Sequence, residues 1–150
     1  MSAVDVYIQN IRTQLSHIEQ TQRTSIDQAA EWVANALQKE RFIYVFGSGH
    51  SHTLAEEGFY RAGGLARCVA ILDEKLMVHE SATESTEWER KEGYAAEVLK
   101  RYPISEGDVL VVVSNSGRNA VPIEMASEAA KRGAKVIAIT SAQHSGSVTS

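Results

Sequence analysis

Val4, Ile8, Ile11, Leu15 and Ile18 recur at intervals of four and three residues, which sets them on one stripe of an amphipathic helix. Ser25 and Gln28 then stand at capping-box spacing, and Ile26, Ala29, Ala30, Val33 and Leu37 share one face. This predicts a second helix ending near Lys39. Beyond it the period changes. Phe42 to Phe46, Arg67 to Leu72, Val109 to Val113 and Val136 to Ile139 are short apolar runs that read as strands, the first and third as buried ones. Helical stretches separate them. TLAEEGFYRAGG is expected to close at Gly63-Gly64, and a helix from about Thr86 to Tyr102 to stop at Pro103. A third carries Pro122 in its first turn and closes at Gly133. Strand and helix alternate as in βαβ units of a parallel sheet. No repeat or Pro-rich linker divides the chain. It reads as a single domain over 1–150, with helices in 1–40 and an α/β core in 41–150.

Bulk properties narrow the class. The 150 residues are 43% hydrophobic and 23% charged, ordinary values for a chain that buries its own core. A net charge of −4 argues against a broad surface for nucleic acid or anionic lipid. Between Asp73 and Glu97, eight acids face Lys75, Arg90 and Lys91, and this stretch is expected to be a solvated, mobile face. Cys68 is the single cysteine and sits in the apolar run LARCVAIL, so it is expected in the core, with no disulfide and no zinc cluster. The N-terminus has no signal-peptide pattern, and no apolar window reaches the ~20 residues that span a bilayer. A cytoplasmic protein with no membrane contact is expected.

The chemistry gathers where strands stop. Three of the four runs end in GSGHS, SNSGRN and Thr140-Ser141. In an open parallel sheet, ligands bind outside the carboxyl ends of the strands. There Gly admits a ligand to the backbone, Ser and Asn donate to its oxygens, and the next helix offers free N–H groups to an anion. These loops therefore point to a phosphate. Named nucleotide motifs fit less well. A dinucleotide fingerprint needs glycine where His52 stands, although Asp73 lies at about the position of a ribose-binding acid; the Gly-Lys-Ser/Thr of a P-loop is absent. A Rossmann-type nucleotide domain stays as a lesser alternative.

GSGHS after the first strand and SNSG after the third resemble the sugar isomerase (SIS) domains that bind phosphosugars. GSGHSHTLAEEGFYRAGGLA is most similar to a subgroup known only as phosphosugar-binding proteins or phosphosugar isomerases of undefined substrate. The resemblance covers roughly residues 5 to 145. It implies a three-layer, flavodoxin-like sheet of order 2-1-3-4-5, in homodimers or homotetramers with the site near a subunit interface. It places the phosphate on Ser114, Asn115, Ser116, Gly117 and Asn119, where the family usually has Ser or Thr in place of Asn119. Gly49, His50 and Ser51 match the first loop, and Thr140 and Ser141 the fourth-strand edge. The family continues into a fifth strand that this chain lacks, so a C-terminal truncation is expected.

Aldose–ketose isomerisation moves a proton between adjacent carbons and needs a carboxylate or histidine in reach. Several family enzymes carry a glutamate ten residues past the loop serine. That position here is Arg61, which cannot act as a base but can pair with Glu57 four residues earlier. Glu56 and Glu57 on the same helix, and Glu80 beside His79, are the candidate bases. His50 and His52 flank the pocket and are candidate contacts to sugar or phosphate. No metal or cofactor is implied. The expected function is a phosphosugar-binding domain with isomerase activity; the alternative is a non-catalytic phosphosugar sensor or assembly module.

Overall fold

The computed structural model describes residues 1–147. It comprises two compact units, Met1–Ala34 and Asn35–Ser150. The first is helical throughout. Instead of two helices, one 36-residue helix, α1, runs Ala3–Gln38, so its last turn belongs to the second unit, where Ala36 is buried. Neither Gly nor Pro occurs within it, and a capping motif has no effect where the backbone has no reason to break. The cap that operates lies at the true start. Ser2 Oγ accepts from Asp5 N at 3.1 Å, and the Asp5 carboxylate accepts from Ser2 N at 2.8 Å. That backbone hydrogen bond holds the Asp5 carboxyl below its ordinary pKa. The stripe of Val4, Ile8, Ile11, Leu15 and Ile18 is 40–68% exposed.

The second unit is a four-stranded parallel sheet of order β2-β1-β3-β4, built from β1 (Ile43–Gly47), β2 (Cys68–Ile71), β3 (Val109–Val113) and β4 (Lys135–Ile139). Alternation along the strands divides the core between two faces. Tyr44, Phe46, Leu110 and Val112 point to the larger side, where Val98, Leu99, Val121, Met125 and Ala129 meet them. Val45, Cys68 and Ala70 point to the other and pack with Ala55. Full burial of a side chain such as Phe46 stabilises the fold by about 1.5–3 kcal/mol. Cys68 is buried, as its apolar setting predicted, and burial pushes its thiol pKa up. At the amino end of the sheet the buried Asp108 accepts from Phe42 N at 3.0 Å and from Ser105 N and Oγ at 2.9 and 3.1 Å.

Two further helical expectations change. The helix after the first loop, α2 (His52–Phe59), ends at Tyr60 rather than at Gly63-Gly64. The expected helix over 86–102 is two, α3 (Ala82–Glu89) and α4 (Tyr94–Leu99), separated at Gly93, whose φ of +78° no other residue type adopts cheaply. The acidic stretch is thus folded into helices, with most of its acids exposed as expected and several of its charges partnered. The Asp73 carboxylate accepts from Tyr94 Oη at 2.9 Å and Lys75 N at 3.1 Å, and pairs with Arg101. α5 (Ala120–Lys131) holds Pro122 in its first turn, and Gly133 follows with φ +84°. A short α6 (Ala142–Ser145) follows β4.

Candidate functional site

β1 and β3 lie side by side, but the chain leaves β1 toward β2 and leaves β3 toward β4. The switch in strand order is therefore between them, where an open α/β sheet parts at its carboxyl edge. Gly47 pairs with Val113 and Val113 with Ile139, so GSGHS, SNSG and Thr140-Ser141 emerge at one level. Two bonds tie the last two together: Ser114 N donates to Ile139 O and Ser141 N to Asn115 O, each at 3.1 Å. Within SNSG, Gly117 N donates to Ser114 Oγ at 3.1 Å. Gly117 has φ +61°, and a Cβ there would lie 2.9 Å from Thr140 Oγ1. Gly47 is more constrained still, because its Cβ would lie 2.4 Å from Ser51 O.

The helices after the two loops start without a side-chain cap. Neither Ser51 before α2 nor Asn119 before α5 caps its helix, whereas Ser81 and Ser141 accept from N–H groups at the starts of α3 and α6. The first N–H groups of α5 thus face the SNSG loop as donors for an anion. Ser51, Ser114 and Ser116 are half-buried, while His50 and Asn115 are exposed.

A cleft of about 700 Å³ opens beside the first loop, lined by Glu56, Met77, His79 and Glu80 together with Asp73 and Arg101. Val78 Cγ1 packs 3.8 Å from where a Cβ on Gly49 would stand, so the cleft adjoins the GSGHS turn. Of the three candidate bases, Glu56 and Glu80 meet in this cleft and Glu57 does not. Glu57 pairs with Arg61 on the exposed side of α2, as the spacing of four predicted. His52, by contrast, is buried. Its Nδ1 hydrogen-bonds Gly49 O, its Nε2 lies 3.4 Å from Glu56 Oε1, and its ring lies 5.2 Å from that of His79.

The sequence model of the SIS domain matches residues 6–141. The chain belongs to the SIS domain family. It is 50% identical over 136 residues to a UPF0309 protein of Halalkalibacterium halodurans, covering 91% of this chain and 56% of that protein. A UPF0309 protein of Brucella ovis is 46% identical over 144 residues, covering 96% and 60%. The chain thus spans somewhat over half the length of these relatives. Among solved structures it is similar to the phosphoheptose isomerase GmhA of Neisseria gonorrhoeae, with a TM-score of 0.70 and 24% identity over 95% of this chain and 76% of that one. A phosphoheptose isomerase of Francisella tularensis superposes with a TM-score of 0.68 and 19% identity, covering 97% and 78%. At these identities the likeness establishes a shared fold, which the strand order here already describes.

Within the SIS domain, two residues behave otherwise than their motifs suggest. Asp73, the candidate ribose-binding acid, has its carboxylate engaged by Tyr94 Oη, Lys75 N and Arg101. Asn119 donates its amide to Glu89 Oε1, so the last candidate phosphate donor already has a partner. Glu89 was not legible as a site residue. Its only signal is its membership of the acidic stretch, and α3 has to fold before it reaches the loop. Among the described residues no group of three or more His, Cys, Asp or Glu side chains is placed to hold a metal ion, and no helix is long and apolar enough to cross a membrane.

Proposed function

We propose that this SIS domain binds a phosphorylated sugar and that the protein to which it belongs interconverts an aldose and a ketose phosphate. The observation that carries this reading is the convergence of both Ser/Gly loops at the switch point, beside a cleft holding Glu56, His79 and Glu80. The phosphate is held by Ser114, Asn115, Ser116, Gly117 and Asn119 with the N-terminus of α5, and the sugar extends past Gly49, His50 and Ser51, with Thr140 and Ser141 closing the β4 side. Glu56 then takes the proton from the carbon beside the carbonyl and returns it to the carbonyl carbon. Glu80, with His79 Nε2 3.7 Å from its Oε1, moves the hydroxyl proton between the two oxygens. A sugar phosphate is a dianion that does not cross a bilayer unaided, which fits a cytoplasmic location.

The phosphoheptose isomerases that share the fold make sedoheptulose 7-phosphate a natural probe, with fructose 6-phosphate as a second. Either sugar is expected to raise the melting temperature, and Ser116→Ala to remove most of the rise. Incubation in deuterium oxide is expected to label the carbon next to the carbonyl. Stabilisation without labelling would favour the sensor reading, which Arg61 at the usual glutamate position supports. A rise with NAD and with neither sugar phosphate would overturn both.

The exposed heptad stripe of α1 supports assembly into homodimers or homotetramers, since a single helix leaves those side chains in water. Leu15→Glu is expected to lower the mass seen by analytical ultracentrifugation. An unchanged mass would reject the stripe as the interface.

A further inference from the structure

His52 has two ring nitrogens and two partners of fixed character. Gly49 O is a carbonyl and only accepts, so Nδ1 bears a proton. Nε2 lies 3.4 Å from the Glu56 carboxylate. A lone pair on Nε2 facing an ionised carboxylate would be repulsive, and the His52 side chain is only 6% exposed, too little for water to screen it. A proton on Nε2 directed at Oε1 resolves the conflict and leaves Oε2 as the free carboxylate oxygen. Glu56 is the outer member of the pair: its side chain is 49% exposed and faces the cleft. The other titratable groups nearby are His79, whose ring packs on His52, Glu80 beside His79, and the exposed His50 in the preceding turn. Cys68 lies across α2, against Gly58.

From this geometry we infer that His52 is a positioning residue that holds Glu56 as the carbon-proton base, its Nε2 proton directed at Oε1 throughout turnover. The inference rests on the isomerase reading above. In the forward half-reaction, the Glu56 carboxylate accepts the proton from the carbon beside the carbonyl and the C–H electron pair forms the enediol double bond. The carbonyl oxygen is protonated at the same time from Glu80. Glu56 then carries the carbon proton on Oε2, while the proton on His52 Nε2 stays directed at Oε1. The reverse transfer delivers the same proton to the neighbouring carbon, and the hydroxyl proton of the second oxygen returns to Glu80. No oxidant or cofactor is consumed. A buried histidine tied to a main-chain carbonyl fixes the carboxylate at one rotamer, which an exposed helix glutamate alone does not achieve.

Nitrogen-15 NMR of histidine-labelled protein tests the pair without substrate, the His52 signals being assigned by their loss in His52→Asn. The expected result is a proton on Nδ1 and an Nε2 signal that Glu56→Gln displaces. A ring without a proton on Nδ1, or an Nε2 signal unmoved by Glu56→Gln, overturns the inference. Deuterium exchange into fructose 6-phosphate and sedoheptulose 7-phosphate tests its role in turnover. His52→Asn keeps a donor for Gly49 O but has nothing at the Nε2 position. It is expected to leave KM within about twofold, lower kcat by about 10- to 100-fold and displace one limb of the kcat–pH profile. Glu56→Gln is expected to lose at least as much. A loss of kcat that merely follows a fall in melting temperature, with the pH profile unmoved, assigns His52 a structural role only and overturns the inference. No exchange by the wild type with either sugar overturns the isomerase reading and with it the catalytic role of the pair. The NMR result then decides separately whether the pair exists.

Discussion

Gly117→Ala probes the phosphate loop through the backbone. Gly117 has φ +61°, and a Cβ on it would stand 2.9 Å from Thr140 Oγ1. The left-handed conformation costs a non-glycine residue about 1–2 kcal/mol. Displacing Thr140, whose hydroxyl donates to Asn115 O at 3.4 Å, adds about 1 kcal/mol. The expected destabilisation is about 2–3 kcal/mol, which for a unit of this size lowers the melting temperature by roughly 6–12 °C. Gly133→Ala is the matched control. Its φ is +84° and its Cβ would crowd Glu106 at 3.0 Å, but it sits before β4, at the amino end of the sheet. Both variants should lose similar stability. They should differ in ligand response: at a hundredfold excess of sugar phosphate over Kd, wild type and Gly133→Ala gain about 2.7 kcal/mol, and Gly117→Ala gains much less. Thermal melts with and without sedoheptulose 7-phosphate and fructose 6-phosphate make the measurement. If Gly117→Ala melts like wild type, the strain argument is wrong. If it is destabilised yet responds to the ligand as Gly133→Ala does, SNSG is not the phosphate loop.

Three further outcomes are expected. Glu89→Gln removes a carboxylate beside Asn119, and relief of its repulsion with a phosphate dianion is worth roughly 1 kcal/mol; calorimetric titration should show about fivefold tighter sugar-phosphate binding, and weaker binding would identify Glu89 as a ligand contact. Asp108→Ala leaves Phe42 N and Ser105 N without their buried acceptor and is expected to cost about 3 kcal/mol in urea denaturation; a loss below about 1 kcal/mol would show that water replaces the carboxylate. Burial, aided by its hydrogen bond to Asp73, pushes the Tyr94 pKa up to about 12 from the ordinary 10.0. The unfolded chain therefore ionises this phenol first, so its contribution is complete below pH 10 and is lost as pH rises toward 12. Tyr94→Phe should lose this alkaline dependence in denaturation curves, and an unaltered dependence would assign it to another group.

The four strands were legible because strands of a parallel sheet stand as unbroken apolar runs, even at the part-exposed edge strand β4, and all four runs stand within a residue or two of the observed bounds. Both loops were legible for a related reason: Gly47 and Gly117 occupy places where a side chain would strike Ser51 O or Thr140 Oγ1, and such demands restrict residue choice locally. Helix limits were less readable. A stretch such as SIDQ has capping spacing whether or not a break exists, and α1 passes through it because continuous helix is cheaper than a turn without Gly or Pro.

What the chain order alone determined is therefore the strand–loop–helix sequence, the small polar residues at the strand ends and the spacing that pairs Glu57 with Arg61. The tertiary structure decided which side chains meet. Parallel crossovers bring Val113 beside Gly47 from 66 positions away, and folding of the acidic stretch carries Glu89 to Asn119 and Glu80 toward Glu56. Burial decided the rest. His52 and His50 are two residues apart in the same glycine-rich turn, yet one is enclosed between Gly49 O and Glu56 and the other faces water. Only the direction in which α2 packs on β1 and β2 separates them, and that direction is a property of the assembled sheet.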